Sequence, residues 1–507
     1  MFSLDRRLIS AAFSGLLLAA AFPRPDLFPL AWFALIPLLL VMPQRPFAAG
    51  FTAGTFFFAA TLYWLNIVMT TYGGLQLIFS LLAYLFLVAY LAAYFGVATW
   101  LACRLETSLK LPYLVTLPIL WVALEYLRGI LLTGFPWALL GYSQQNFSAA
   151  IQSADVTGVY GVSFLLVTVN CALAWVITEP RKKLAWLGVG ATLIMTLTHV
   201  GYGFWKNTQP LEQRAEQLRV SLIQGDIGQA VKWLPENRQN SIDVYQRLST
   251  QAMQQSSDLL IWPEAATPFF FQDDSKLSQR VRKLPVELKV PLLFGSPAYE
   301  PLPGGRYKYF NSAFLLSADG LLLGRSDKIH LVPFGEYVPF GSLLTFINKL
   351  VVGVGDFSPG HIAPLVLNGN KIGVLICYEA IFPQLSRNYV RKGSRLLVNL
   401  TNDAWFGQSS APYQHLAMAR FRAIENRIWM ARAANTGISA LISPTGRISQ
   451  AGPIFQPLQL TGTVGLGAEG TFYTRFGDVF AYLCLGISAC FLTVLFLHRK
   501  HRTISQH

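Results

Sequence analysis

Three side chains of the kinds that carry out acyl transfer stand at the ends of three apolar runs. Leu259-Leu-Ile-Trp-Pro263-Glu264 closes on a glutamate, Gly324-Arg-Ser-Asp-Lys328 on a lysine, and Ile372-Gly-Val-Leu-Ile376-Cys377 on a cysteine. A glutamate can take a thiol proton, a lysine can hold a developing oxyanion, and a thiolate can attack a carbonyl carbon. The backbone N–H of Tyr378, beside the cysteine, is a natural second oxyanion donor. Residues 378–391 read as a helix, which puts Cys377 at a strand-to-helix junction where free N–H groups favour a thiolate. The alternative is a cysteine buried for packing and two surface charges, and spacing alone does not separate the two.

The elements that must position these residues belong to an α/β pattern beginning near residue 210. Candidate strands are 219–224, 259–262, 292–295, 312–317, 321–324, 372–376, 396–400 and 438–442. Helical stretches at 237–256, 275–284 and 414–434 lie between several of them. Asp319-Gly320 between two apolar runs signals a hairpin. Roughly 260 residues is ample for a complete core. Residues 340–360 are apolar and glycine-rich without clear periodicity; they suit either a loop that touches lipid or a buried packing loop.

On either side of this region the composition changes. The chain of 507 residues is 53% hydrophobic and only 13% charged, which points to a polytopic membrane protein. Apolar segments of spanning or near-spanning length run about 8–22, 27–43, 47–69, 75–102, 112–133, 158–178 and 184–205, with an eighth near 476–497. The first either remains as a short helix, hairpinned through Pro23-Arg24-Pro25, or is a cleaved signal peptide; retention is the preferred reading. The net charge is +14, and many of the Lys and Arg lie in short clusters beside these segments. Arg6 and Arg7, Arg45, Arg104 and Lys110, Arg181-Lys182-Lys183, and Arg499-Lys500-Arg502 fall on one side, whereas the opposite short loops hold little beyond Arg24. By the positive-inside rule the charged side is cytoplasmic, so eight spans put residues 206–475 outside. The expected organisation is a seven-span membrane domain (1–205), an extracytoplasmic catalytic domain (206–475), and an eighth span with a basic tail (476–507). Within the fifth span, Glu125 and Arg128 can pair on one helical face, as a functional site or a structural ion pair.

Four motifs in order sharpen this picture. Trp262-Pro263-Glu264, Asp327-Lys328-Ile-His330-Leu-Val-Pro333-Phe-Gly335-Glu336, Cys377-Tyr378-Glu379 and Asn399-Leu-Thr-Asn402-Asp403-Ala-Trp405-Phe-Gly407 resemble the carbon–nitrogen hydrolase (nitrilase) superfamily. Such a domain inserted between seven spans and one resembles the bacterial apolipoprotein N-acyltransferase family. The resemblance implies an αββα sandwich beside an eight-helix membrane bundle, and a Glu-Lys-Cys triad. By motif position Glu264 would be the general base, Lys328 the oxyanion lysine and Cys377 the nucleophile. Glu336 would orient Lys328 and the incoming amine, and Tyr378 and Glu379 would line the site. Trp233, after Lys232, matches a tryptophan that lines the family's acyl cleft. The implied substrates are a membrane phospholipid as acyl donor and a diacylglyceryl-modified apolipoprotein as acceptor, with the bilayer as setting. The implied location is the bacterial inner membrane with the catalytic domain on the periplasmic face.

A membrane-anchored nitrilase-type amidase acting on a small soluble amide would use the same triad. A transporter or channel would leave the three strand-end motifs unexplained. The chain lacks CxxC and HExxH motifs, so neither a metal nor a cofactor is expected. Gly465-Leu-Gly467-Ala-Glu-Gly470 matches GxGxxG but leads into a span rather than a βαβ unit, and reads as a flexible linker. The basic tail 498–502 follows a span and reads as an orientation anchor, so nucleic acid is not an expected partner. His330 reads as a structural neighbour of Lys328, and His415 as one of several scattered histidines.

Overall fold

The computed structural model describes residues 5–210, 216–337 and 357–504, with side chains through 499. Most of the 340–360 loop expectation thus lies outside the described residues. Packing divides the chain into two units. One takes in the residues up to Tyr63, Ile78–Gln209, and those from Phe476 on; the other joins Trp64–Leu77 to Pro210–Arg475.

In the first unit, four helices among the described residues are long and apolar enough to cross a membrane: Leu77–Leu109, Val159–Thr178, Lys183–Asn207 and Val479–Arg499. A fifth is reached if Pro46–Thr61 and Leu65–Tyr72 count as one broken span. The other expected spans hold shorter helices. Arg6–Ala20 has 15 helical residues and Tyr113–Arg128 has 16. At about 1.5 Å per residue neither reaches the ~30 Å of a hydrocarbon core. The second apolar run holds only a 3-10 turn at Phe28–Trp32 and the helix Ile36–Val41, both begun at prolines. Glu125 and Arg128 are buried, but they do not meet as a direct ion pair. Glu125 Oε1 accepts from the Leu140 N–H at 2.7 Å, and Arg128 donates to the Trp137 carbonyl at 2.7 Å. Both side chains therefore brace the backbone just beyond their own helix.

The second unit contains two six-stranded sheets. In chain order its strands are β1 (Glu216–Gln224), β2 (Leu259–Ile261), β3 (Leu292–Leu302), β4 (Arg306–Leu316), β5 (Leu322–Asp327) and β6 (Leu365–Leu367). The remainder are β7 (Asn370–Ile376), β8 (Ser394–Thr401), β9 (Met430–Ala434), β10 (Ala440–Ile442), β11 (Ile448–Ala451) and β12 (Leu458–Leu466). The sheet orders are β12-β1-β2-β3-β4-β5 and β11-β10-β9-β8-β7-β6. Alternation along the strands supplies two cores. Val220, Leu222, Ile261 and Leu293 from one sheet share a core with Val374, Ile376, Val398 and Ala431 from the other. The outward residues Ile223, Leu260, Trp262 and Phe294 pack with Ile242, Tyr245, Val281 and Leu284 of the helices Arg238–Ala252 and Lys276–Leu288. The helices Pro383–Arg391 and Ala411–Asn426 accompany the second sheet, giving an αββα sandwich.

Two expectations are corrected here. The helix expected over 414–434 stops at Asn426, because Arg427 takes a left-handed φ of 47°. Met430–Ala434 then forms β9, fully buried between β8 and β10. Flanking strands on both sides outweigh the helical preference of its alanines. The expected linker at 465–470 also begins within a strand, since Gly465 and Leu466 pair with Gln217 and Glu216 at the end of β12.

The segment Trp64–Leu77 is adjacent in sequence to membrane helices yet packs with the globular unit. Trp64 stands edge-on to Phe406 at 4.9 Å, and its indole N–H donates to Gln414 at 3.3 Å. Tyr72 packs edge-on to Trp405 at 5.4 Å.

Candidate active site

Glu264 and Lys328 emerge at the same edge of one sheet for a topological reason. β2 runs parallel to β3, and the antiparallel pairs β3–β4 and β4–β5 return β5 to the direction of β2. Both side chains follow the C-terminal ends of those strands. Trp262 anchors the first by packing on Tyr245 and donating its indole N–H to Ser249 at 2.9 Å. The turn carrying Glu264 lies directly over Gly295 of β3, whose N–H donates to the Pro263 carbonyl at 3.1 Å. A Cβ at Gly295 would come within 2.7 Å of Glu264 Cα, so only glycine admits this approach.

Lys328 is buried. Its Nζ donates to Glu336 Oε1 at 2.9 Å and lies 3.6 Å from Glu264 Oε1. Asn311 on β4 ties the two carboxylates together, donating through Nδ2 to Glu264 Oε1 at 2.8 Å and Glu336 Oε1 at 2.9 Å. The second oxygen of Glu336 accepts from the Val332 N–H at 2.8 Å, whereas Glu264 Oε2 has no partner among the described residues. Burial alone would lower the Lys328 pKa, but Glu336, Glu264 and Cys377 more than reverse this, so the ammonium keeps its charge. Behind Glu264, the buried Lys232 donates to its backbone carbonyl at 3.1 Å, and burial lowers the Lys232 pKa to about 8. Trp233 caps the short helix Gln229–Lys232, and its indole N–H has no partner among the described residues.

Cys377 follows β7 in the second sheet with a φ of 51°, a left-handed conformation rarely adopted by a residue with a side chain. The expected helix directly behind it is instead a 3-10 turn, Cys377–Ile381, and the α-helix begins at Pro383. Burial pushes the thiol pKa well up, Glu264 adds to the rise, and Lys328 opposes it. The resting sulfur therefore keeps its proton, contrary to the expectation of a thiolate stabilised by a helix end. Generating the nucleophile needs a base. Tyr378 packs on Phe382, with ring centres 5.2 Å apart. Its backbone N–H lies in the first turn of the 3-10 segment, where the turn itself supplies no acceptor.

Glu379 joins the lysine and cysteine segments. One of its oxygens accepts the N–H groups of Ile329 at 2.6 Å and His330 at 3.0 Å, and the other accepts that of Ile376 at 2.6 Å. It thus holds the residues after Lys328 against the end of β7. Burial nonetheless raises its pKa to about 7. The His330 ring stacks on Phe382 at 3.8 Å, and burial together with Lys328 lowers its pKa to about 4.

A second polar group lies behind the cysteine. His415, on the helix Ala411–Asn426, places Nε2 3.1 Å from the Cys377 carbonyl and Nδ1 3.0 Å from Asp403 Oδ1. Arg432 of β9 donates to Asp403 Oδ2 at 2.7 Å and also hydrogen-bonds Asn399 of β8. Asn399 in turn donates to the Leu375 carbonyl at 2.9 Å and the Cys377 carbonyl at 3.4 Å. Burial would raise the Asp403 carboxyl, but Arg432, His415 and Thr401 outweigh it and hold the pKa at about 2. Gly437 makes room for this carboxylate, since a Cβ there would lie 2.3 Å from Asp403 Oδ2. Sequence reasoning assigned no role to Asn311, Asn399, Asp403, His415 or Arg432. A cue did exist for Asn399 and Asp403, as polar residues in and just after an apolar strand.

The arrangement offers an ammonium held by two carboxylates, a carboxylate oxygen free to accept a proton, and a thiol under the influence of both charges. It suits attack on a carbonyl carbon. Residues 219–461 match the carbon-nitrogen hydrolase family model, and residues 14–172 match that of the apolipoprotein N-acyltransferase N-terminal domain. The apolipoprotein N-acyltransferase of Geobacter metallireducens is 49% identical over 98% of this chain and 96% of its own length. Those of Haemophilus ducreyi (33% identity, 91% of this chain and 90% of the relative) and Methylococcus capsulatus (34%, 99% and 98%) also align over nearly their whole length. The chain belongs to the apolipoprotein N-acyltransferase family.

Proposed function

We propose that this chain moves a fatty acyl group from a membrane phospholipid to the α-amino group of the N-terminal diacylglyceryl-cysteine of apolipoproteins, through a thioester on Cys377. The observation that carries the reading is a Glu264 oxygen without a partner beside the Lys328 ammonium, in a chain of this family. In the first step Glu264 Oε2 takes the Cys377 proton as the sulfur bonds to the ester carbonyl carbon. Lys328 Nζ and the Tyr378 N–H hold the oxyanion. The carbon–oxygen bond then breaks, and the lysophospholipid leaves as an alcohol with the proton from Glu264. In the second step the α-amino nitrogen attacks the thioester, Glu264 takes its proton, and the amide forms as sulfur leaves and regains that proton. Glu336 orients Lys328, Glu379 and Tyr378 shape the site around the nucleophile, and Trp233 lines the acyl cleft.

The setting belongs to the same proposal. Eight spans, with residues 1–205 and 476–507 in the bacterial inner membrane, would leave 206–475 on the periplasmic side. Support comes from the charge asymmetry of the loops and from the four long apolar helices. A catalytic domain flanked in sequence by spans on both sides has both lipid substrates within its compartment.

The test is intact-mass detection of an acyl adduct after incubation of the membrane protein with phospholipid alone. The wild type should gain one acyl mass on Cys377, and C377A and C377S should gain none while remaining folded. An adduct that persists in C377A would overturn the assignment.

A further inference from the structure

We infer that His415 is a positioning residue for the oxyanion hole, acting through the single peptide group that joins Cys377 to Tyr378. This rests on the nucleophile assigned above. The Cys377 carbonyl and the Tyr378 N–H belong to one planar trans peptide and point in opposite directions. Whatever holds the carbonyl therefore aims the N–H. Two side chains hold it: His415 through Nε2 at 3.1 Å and Asn399 through Nδ2 at 3.4 Å. They are linked behind the peptide, His415 to Asp403, Asp403 to Arg432, and Arg432 to Asn399, all fully or almost fully buried.

The ring has one invariant. A carbonyl oxygen only accepts, so His415 Nε2 must carry a proton. Nδ1 is served in either protonation state, because Asp403 Oδ1 lies at 3.0 Å to accept and Arg432 Nη2 at 3.1 Å to donate. The Nε2–H donor thus survives a change of charge on the imidazole. Its hydrogen bond also polarises the peptide, which makes the Tyr378 N–H a stronger donor to an oxyanion. Cys377 is left-handed and opens the 3-10 turn Cys377–Ile381, so the two side chains add to the turn in fixing the orientation of this peptide.

The experiment compares two reactions of the same sulfur. Acylation by phospholipid passes through an oxyanion; alkylation by iodoacetamide is a displacement at carbon and does not. In H415N the amide overlays Nδ1 and cannot reach the Cys377 carbonyl, whereas in H415Q it overlays Nε2 and can. H415N should lose about 10²-fold in acylation at saturating donor, with alkylation and the half-saturating donor concentration unchanged. H415Q should recover most of the loss. The folded fraction of each variant is measured by its melting curve and both rates are scaled to it, because unfolded chains alkylate but do not acylate. Equal ratios in H415N and the wild type, or in H415N and H415Q, would overturn the inference. Should both variants fail to fold, nitrogen-15 histidine spectra of the wild type decide. Nε2 protonated from pH 5 to 9 supports the inference, and a deprotonated Nε2 refutes it. Absence of an acyl adduct on wild-type Cys377 would instead refute the parent reading.

Discussion

The two halves of the site are built on opposite plans. On the sheet that carries Glu264 and Lys328, charged side chains bond to one another and one carboxylate oxygen has no partner among the described residues. On the sheet that carries Cys377, Asp403 and Arg432 satisfy each other and lie behind the cysteine. The first half suits moving protons and meeting charge, because a group must keep free capacity to accept. The second suits holding a strained backbone still, because a closed ring of hydrogen bonds has no alternative arrangement of similar energy. Their joint is Glu379, whose three accepted N–H groups come from both sides. Proton handling and backbone rigidity are thus assigned to different sheets, with Cys377 carried by the rigid one.

That division can be broken from either side. The largest effect is expected for E264Q, which keeps shape but removes the proton acceptor. Acyl-adduct formation should fall by about 10³-fold with no fall in melting temperature. Next comes D403N, which should act mainly on stability. The Asp403 carboxyl is held at about 2, below the ordinary 3.8, so its contribution is full above about pH 3.8 and is lost as pH falls through 2. The linked stabilisation is about 2 kcal/mol. Melting curves between pH 2 and 5 should therefore show an acid limb in the wild type that is flattened in D403N. A D403N protein as stable as the wild type at pH 7 would remove the rigid half of the comparison. The smallest effect is expected for N311A, which frees two carboxylate oxygens without removing a charge. Acylation should drop by roughly tenfold, because two carboxylates lose a shared donor.

The strand-end motifs made the reactive half legible before any coordinates. Glu264, Lys328 and Cys377 each follow an apolar run, and their order survives into the fold. The rigid half was hidden for a physical reason. Asp403, His415 and Arg432 come from an end-of-strand turn, a helix and an alanine-rich strand, and their meaning lies in contacts across 12 to 29 residues. β9 was concealed because Met-Ala-Arg-Ala-Ala carries no strand signal of its own, and its place between two other strands decides its state. Apolar length left other detail unread. The second run divides into a 3-10 turn at Phe28–Trp32 and the helix Ile36–Val41, each with a proline in its first turn, a division that hydropathy does not register. The thiolate expectation failed for a related reason. It assumed a helix starting at Cys377, whereas Pro383 starts the α-helix and burial dominates the thiol.

The placement of Trp64–Leu77 has a consequence for how the chain is made. Trp64 bonds to Gln414, 350 positions later. At ribosomal speeds of about 5–20 residues per second, some 20–70 s separate the synthesis of the two partners. For that interval the contacts of Trp64 with Phe406 and Gln414 and of Tyr72 with Trp405 cannot form, because the later residues do not yet exist. The globular unit is therefore not an autonomous cassette that matures as it emerges. Its packing is completed by a piece of chain made well before the rest of it.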